Sequence, residues 1–87
     1  MKTWLNGKVL GSPDEPSIGV LDHGMIVGDG VFETIKIERG EPFAMTRHLD
    51  RLVRSAEGLG IGKPDIGAIR EGVESTMAGQ DLPFGRV

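Results

Sequence analysis

The 87-residue sequence contains no cysteine, which excludes a disulfide framework and any thiolate metal centre. That absence fits a reducing compartment. No apolar run approaches the ~20 residues of a membrane-spanning helix, and the N-terminus carries no apolar signal-peptide core. These absences predict a cytoplasmic protein with no membrane partner. A basic stripe is missing too: ten Lys and Arg against thirteen Asp and Glu give a net charge of −3, with the signs interspersed. That pattern argues against nucleic acid as a partner. The two histidines and thirteen acids show no metal-ligand spacing. There is no nucleophile elbow, no Ser/His/Asp arrangement, no internal repeat and no low-complexity tract.

What is present reads as one small α+β domain over residues 1–87. Hydrophobic residues make up 38%, a globular share, and the 14 glycines are more than twice the norm of ~7%. A chain of this size buries only about 60–65% of its unfolded surface, so its stability is expected to be thin, and the glycine density implies many tight turns and folding that depends on packing partners. Thr3-Trp4-Leu5 and Lys8-Val9-Leu10 flank Asn6-Gly7, the strongest short hairpin signal, because both residues tolerate the positive φ of a type I′ turn. Gly11 to Pro16 is a loop, and Ser17 to Leu21 is predicted as a short strand.

Val31 to Ile37 alternates, with Val31, Ile35 and Ile37 on one face and Phe32, Thr34, Lys36 and Glu38 on the other. A turn at Arg39-Gly40 leads to Pro42-Phe43-Ala44, an edge strand where proline is tolerated. Thr46 is the predicted N-cap of a helix bearing Leu49, Leu52, Val53, Ala56 and Leu59 at helical spacing. A second helix starts near Asp65, carries Ile66, Ile69, Val73 and Met77 on one stripe, and stops at Gly79. The tail from Pro83 to Val87 reads as a strand cut off before it can pair. Strands followed by helices predict an antiparallel sheet with two helices packed on it.

Several residues are candidates for chemistry. Arg51 is expected on the flank of its helix's apolar stripe, in line with His48 and Ser55, whereas Arg47 and Arg54 point to water. Its guanidinium offers five fixed N–H donors and a permanent charge, which suits a phosphate dianion. The alternative is a solvated arginine weakly paired with Asp50 or Glu57. Phe32, an aromatic on a polar strand face, either packs under a helix or walls a substrate pocket. Glu33, a carboxylate among apolar neighbours, needs a cation or several donors. It either pairs structurally, with an arginine as one option, or orients groups near a site. His23 suits turn hydrogen bonding or catalysis, and helix packing is the default for His48. Gly28-Asp29-Gly30 lacks both the GxGxxG spacing and the GK[ST] ending. It is better explained as a turn needing positive φ than as a phosphate loop.

Six pieces stand in a telling order: Trp4-Leu5-Asn6-Gly7, Asp22-His23-Gly24, Gly28-Asp29-Gly30-Val31-Phe32-Glu33-Thr34, Gly40-Glu41-Pro42-Phe43, His48-Leu49-Asp50-Arg51-Leu52 and Ser55-Ala56. Together they resemble the N-terminal domain of the class IV, fold type IV, pyridoxal 5′-phosphate (PLP) enzymes. That family includes branched-chain and D-amino-acid aminotransferases and aminodeoxychorismate lyase. The resemblance implies that Arg51, in the His-x-x-Arg-Leu segment, binds the cofactor phosphate. It also implies that Phe32 lines the substrate side of the cofactor. Val27 stands in the pocket position where some branched-chain enzymes have a tyrosine. Gly-Asp-Gly-Val-Phe-Glu is closer to the D-amino-acid and aminodeoxychorismate branches than to the branched-chain one.

By the same resemblance the cofactor lysine belongs to a C-terminal domain beyond Val87, so no catalytic residue is expected among Lys2, Lys8, Lys36 and Lys63. The implied whole protein is a homodimeric transaminase or lyase acting on an amino acid or amino-chorismate. A self-contained binding or interaction module is the competing expectation.

Overall fold

The computed structural model describes Met1–Val87 in full. Its first element is a hairpin, β1 (Trp4–Leu5) and β2 (Lys8–Val9), paired antiparallel with Trp4 opposite Val9. Asn6 and Gly7 turn it with φ of 48° and 89°, the two positive values a type I′ turn demands. Behind it, the Gly11 amide donates to the Glu15 carboxylate and Lys8 pairs with the same group. These bonds, the Gly11 one foremost, hold the Glu15 carboxyl below its usual range.

Residues 17–21 form bends and turns, not the expected strand. Pro16 precedes this stretch and Gly19 interrupts it, and no neighbouring strand offers it a ladder. A single helical turn follows, α1 (His23–Ile26), capped by Asp22, whose Oδ1 accepts from the Gly24 amide at 2.8 Å.

The central sheet has the order β4-β3-β5, from β3 (Lys36–Glu38), β4 (Glu41–Pro42) and β5 (Phe84–Arg86). All pairings are antiparallel. The tail expected to stay unpaired is therefore a full member of the sheet. Ile37 faces Gly85, and Ile35 and Val87 exchange both backbone bonds at 2.7 and 2.9 Å. Sequence proximity hid this partner, because two helices separate β5 from β3 along the chain. The ladder begins only at Ile35; Val31 to Thr34 are extended without sheet bonds, yet keep the predicted alternation of inward and outward residues.

Helix α2 (Met45–Gly58) is capped by Ala44 rather than Thr46. Ala44 adopts the left-handed conformation (φ 54°, ψ 39°) and gives no side-chain cap. Thr46 lies inside the first turn, where its hydroxyl meets Arg70 at 3.5 Å. Helix α3 (Ile66–Met77) starts as expected at Asp65, whose Oδ1 accepts from the Ala68 amide at 3.0 Å.

Ile35, Ile37, Leu49, Ala56 and Val73 make the core, where the sheet meets both helices. Gly72 is buried beside them, and a Cβ on it would lie 2.7 Å from the Trp4 ring. That close approach seats the N-terminal hairpin on α3. Leu59, placed on the α2 stripe by its spacing, is 57% exposed because the helix ends before it. No helix is long and apolar enough to cross a membrane.

Candidate functional site

The site is built where the extended approach to β3 passes the first two turns of α2. Alternation along residues 31–37 turns Glu33 inward with Ile35 and Ile37, and only 9% of its side chain is exposed. An inward carboxylate must find donors or lose its charge. On α2, His48 and Arg51 are three residues apart and so share a face. Both reach Glu33.

Arg51 meets the carboxylate side-on, Nε donating to Oε1 at 2.7 Å and Nη2 to Oε2 at 2.6 Å. His48 Nδ1 lies 2.6 Å from the same Oε2. The Arg51 bonds, then the His48 bond, hold the Glu33 carboxyl down at about 2 against an ordinary 4.5. In return, the carboxylate raises the Arg51 guanidinium further above its usual range. Glu33 is thus ionised at neutral pH and can only accept, so His48 must carry a proton on Nδ1.

Neither solvated partner expected for Arg51, Asp50 or Glu57, is the one it binds. As expected, Arg51 lies in line with His48, and both reach the inward Glu33. The side chain is 59% exposed and lines an open depression of about 490 Å³ together with Arg47, His48, Asp50 and Arg54. Arg47 and Arg54 are exposed as expected, and because positions 47, 51 and 54 fall on one helical face they also border the space Arg51 faces. Neither of those two arginines is engaged in an ion pair. Of the guanidinium donors of Arg51, Nε and Nη2 are engaged by Glu33, Nη2 also lies 3.5 Å from His48 Nδ1, and the two N–H of Nη1 remain for a ligand.

Phe32 and Val27 do not join this depression. Phe32 is 85% exposed, so it packs under no helix of this chain, and Val27 is 60% exposed. Both belong to a run of apolar side chains at the surface that includes Ile18, Val20, Leu21, Met25 and Ile26. His23 does serve its turn, with Nδ1 3.2 Å from Asp29 Oδ2, just before the bend at Gly28 (φ 75°). Sequence reasoning assigned His48 to helix packing and missed its role as the second donor to Glu33. The available signal was His-x-x-Arg on one helix face opposite a strand carboxylate flanked by inward apolar residues.

Comparison with known proteins places this geometry in context. Residues 30–87 match the family described as amino-transferase class IV. A putative branched-chain-amino-acid aminotransferase of Methanocaldococcus jannaschii is 45% identical over 64 residues, 74% of this chain and 22% of that protein. A D-alanine aminotransferase of Staphylococcus aureus is 38% identical over 60 residues, covering 69% of this chain and 21% of its own length. The bifunctional aminodeoxychorismate lyase / D-amino acid transaminase of Mycobacterium tuberculosis is 35% identical over 74 residues, 85% of this chain and 25% of its own.

Among solved structures, a fold IV transaminase from Curtobacterium pusillum superposes with a TM-score of 0.72 at 38% identity, covering 80% of this chain and 24% of its own. The chain thus spans about a fifth to a quarter of the length of these relatives, and the α+β architecture is that of the fold IV N-terminal domain. The chain belongs to the amino-transferase class IV family.

Proposed function

We propose that this chain is the N-terminal part of a PLP-dependent aminotransferase or aminodeoxychorismate lyase acting on an amino-acid-like substrate. The observation that carries the reading is the partly engaged guanidinium of Arg51. Its Nε and Nη2 are fixed by Glu33 and its Nη1 group is unengaged, on a depression bordered by two further arginines and one acid, Asp50. Such a donor set fits a phosphate dianion, which takes charge-assisted N–H bonds from a fixed planar fork. Arg51 would hold the phosphate. Phe32 and Val27, exposed on a neighbouring stretch, would face the substrate.

When bound, PLP supplies the electron sink for chemistry at the substrate Cα. The lysine that exchanges the proton would come from outside residues 1–87, and the working enzyme would be a cytoplasmic homodimer. The relatives named above span the branched-chain, D-amino-acid and aminodeoxychorismate branches, so the substrate branch would be set by residues outside this region. All three are named as enzymes, which does not favour a self-contained interaction module.

The test is cofactor retention by the longest polypeptide the gene encodes. Wild type should keep PLP through dialysis, and Arg51→Ala should weaken it by about tenfold or more, the effect of losing charged hydrogen bonds. Equal retention by both would sink the reading. The 87-residue chain alone, treated with PLP and borohydride, should give no adduct on one specific lysine.

A further inference from the structure

Glu33 does more than neutralise a cation. Its carboxylate accepts three bonds, two from one guanidinium edge and one from an imidazole, at 2.6–2.7 Å. The partners differ in exposure: the Glu33 side chain is 9% exposed and that of His48 20%, whereas that of Arg51 is 59% exposed. The inward end of the pair is therefore Glu33, two residues before the ladder begins at Ile35, and the presented end is Arg51. A side-on pair through Nε and Nη2 leaves the Nη1 group as the outward tip of the guanidinium.

We propose that Glu33 is a positioning residue, which locks the Nε/Nη2 edge of Arg51 inward so that Nη1 faces an arriving phosphate. Through the same oxygen it keeps a proton on His48 Nδ1, leaving Nε2 as the free ring nitrogen. The proposal rests on the reading of Arg51 as a phosphate ligand.

Two effects of Glu33 on anion binding oppose one another, and this makes the proposal decidable. Its negative charge, close behind Arg51, weakens the local attraction for phosphate. Its two bonds remove the rotamer freedom that a long side chain would otherwise lose on binding. Charge alone predicts that Glu33→Gln tightens phosphate. Positioning predicts that it loosens phosphate, because Gln offers one acceptor oxygen where the carboxylate offers two, so its NH2 group must face either Nε–H or the Nη2 and Nδ1–H pair.

The experiment is a titration of inorganic phosphate into the 15N-labelled, cofactor-free form of the longest polypeptide the gene encodes, followed at the Arg51 and His48 side-chain signals. Before phosphate is added, wild type should show a resolved, slowly exchanging Arg51 Nε–H and a His48 ring protonated on Nδ1. Phosphate should then shift the Arg51 signals. Glu33→Gln should lose the resolved Nε–H and bind phosphate at least about fivefold more weakly. Glu33→Asp keeps the charge but draws the carboxylate back by roughly 1.5 Å, and should recover part of the affinity.

Equal or tighter binding by Glu33→Gln, with wild-type Arg51 still responding to phosphate, overturns the positioning role alone. A wild-type chain whose Arg51 is locked yet ignores phosphate overturns the phosphate-ligand reading, and the proposal with it. Should Glu33→Gln fail to fold, the wild-type signals and Glu33→Asp decide: an averaged Arg51 Nε–H in wild type, or undiminished affinity in the aspartate variant, refutes it.

Discussion

Glu33 Oε2 stands 2.6 Å from Arg51 Nη2 and 2.6 Å from His48 Nδ1, so a single oxygen ties the approach to β3 to two successive turns of α2. This relationship has a pH signature. The carboxyl is held at about 2 in the folded chain, against an ordinary 4.5, so the unfolded chain binds the proton more readily. Stability from the triad is therefore fully present above about pH 4.5. It is lost as pH falls from there towards 2. Urea midpoints measured across that window should fall steeply for wild type, and Glu33→Gln should flatten the slope while starting lower at neutral pH.

The buried Gly72 supports a second prediction. Alanine is the better helix former by roughly 1 kcal/mol, yet here its Cβ would stand 2.7 Å from Trp4 Cε3 and 2.8 Å from Cδ2. Overpacking of this kind costs about 1–3 kcal/mol, so Gly72→Ala should be destabilising on balance by about 1 kcal/mol. Trp4 is the sole tryptophan, and its emission should move to the red as the ring is pushed off α3.

Leu49 is 3% exposed between the sheet and the two helices. Truncation to alanine should cost about 2–4 kcal/mol. With only six residues buried, that loss is large against the roughly 5 kcal/mol typical of a marginal domain. Circular dichroism should show Leu49→Ala substantially unfolded at 37 °C, whereas Leu59→Ala, at a 57% exposed site, should melt near wild type.

Asp65 caps α3 through the Ala68 amide. Asp65→Ala should lower stability by about 1 kcal/mol, and Asp65→Asn should restore most of it, since either side-chain oxygen can serve as the cap. Thermal melts distinguish the two. Thr46→Ala, at the position first expected to be a cap, should change little.

Local signals made much of this legible. Asn6-Gly7, the alternation from Val31 to Ile37, and Asp65 after Pro64 each carry their geometry in neighbouring residues, and each forms as expected. What escaped depends on distant partners. Phe84–Arg86 becomes a strand only because β3 offers it an edge, and Ala44 is bent into a left-handed conformation where the turn after β4 must enter α2. The need of Glu33 for a cation was readable from its apolar neighbours. That His48 would share the task was not, because it requires the relative placement of strand and helix.

The exposed run from Ile18 to Phe32 has a thermodynamic consequence of its own. Its hydrogen bonds close within residues 15–29, as between Asp22 and Gly19, Val27 and His23, or His23 and Asp29. Its hydrogen bonds thus join residues a few positions apart, without the long-range ladder that ties β3 to β5. Its amides should exchange with solvent through local opening, far faster than those of Ile35 and Ile37. The stretch that presents Phe32 and Val27 is thus energetically separable from the scaffold that presents Arg51.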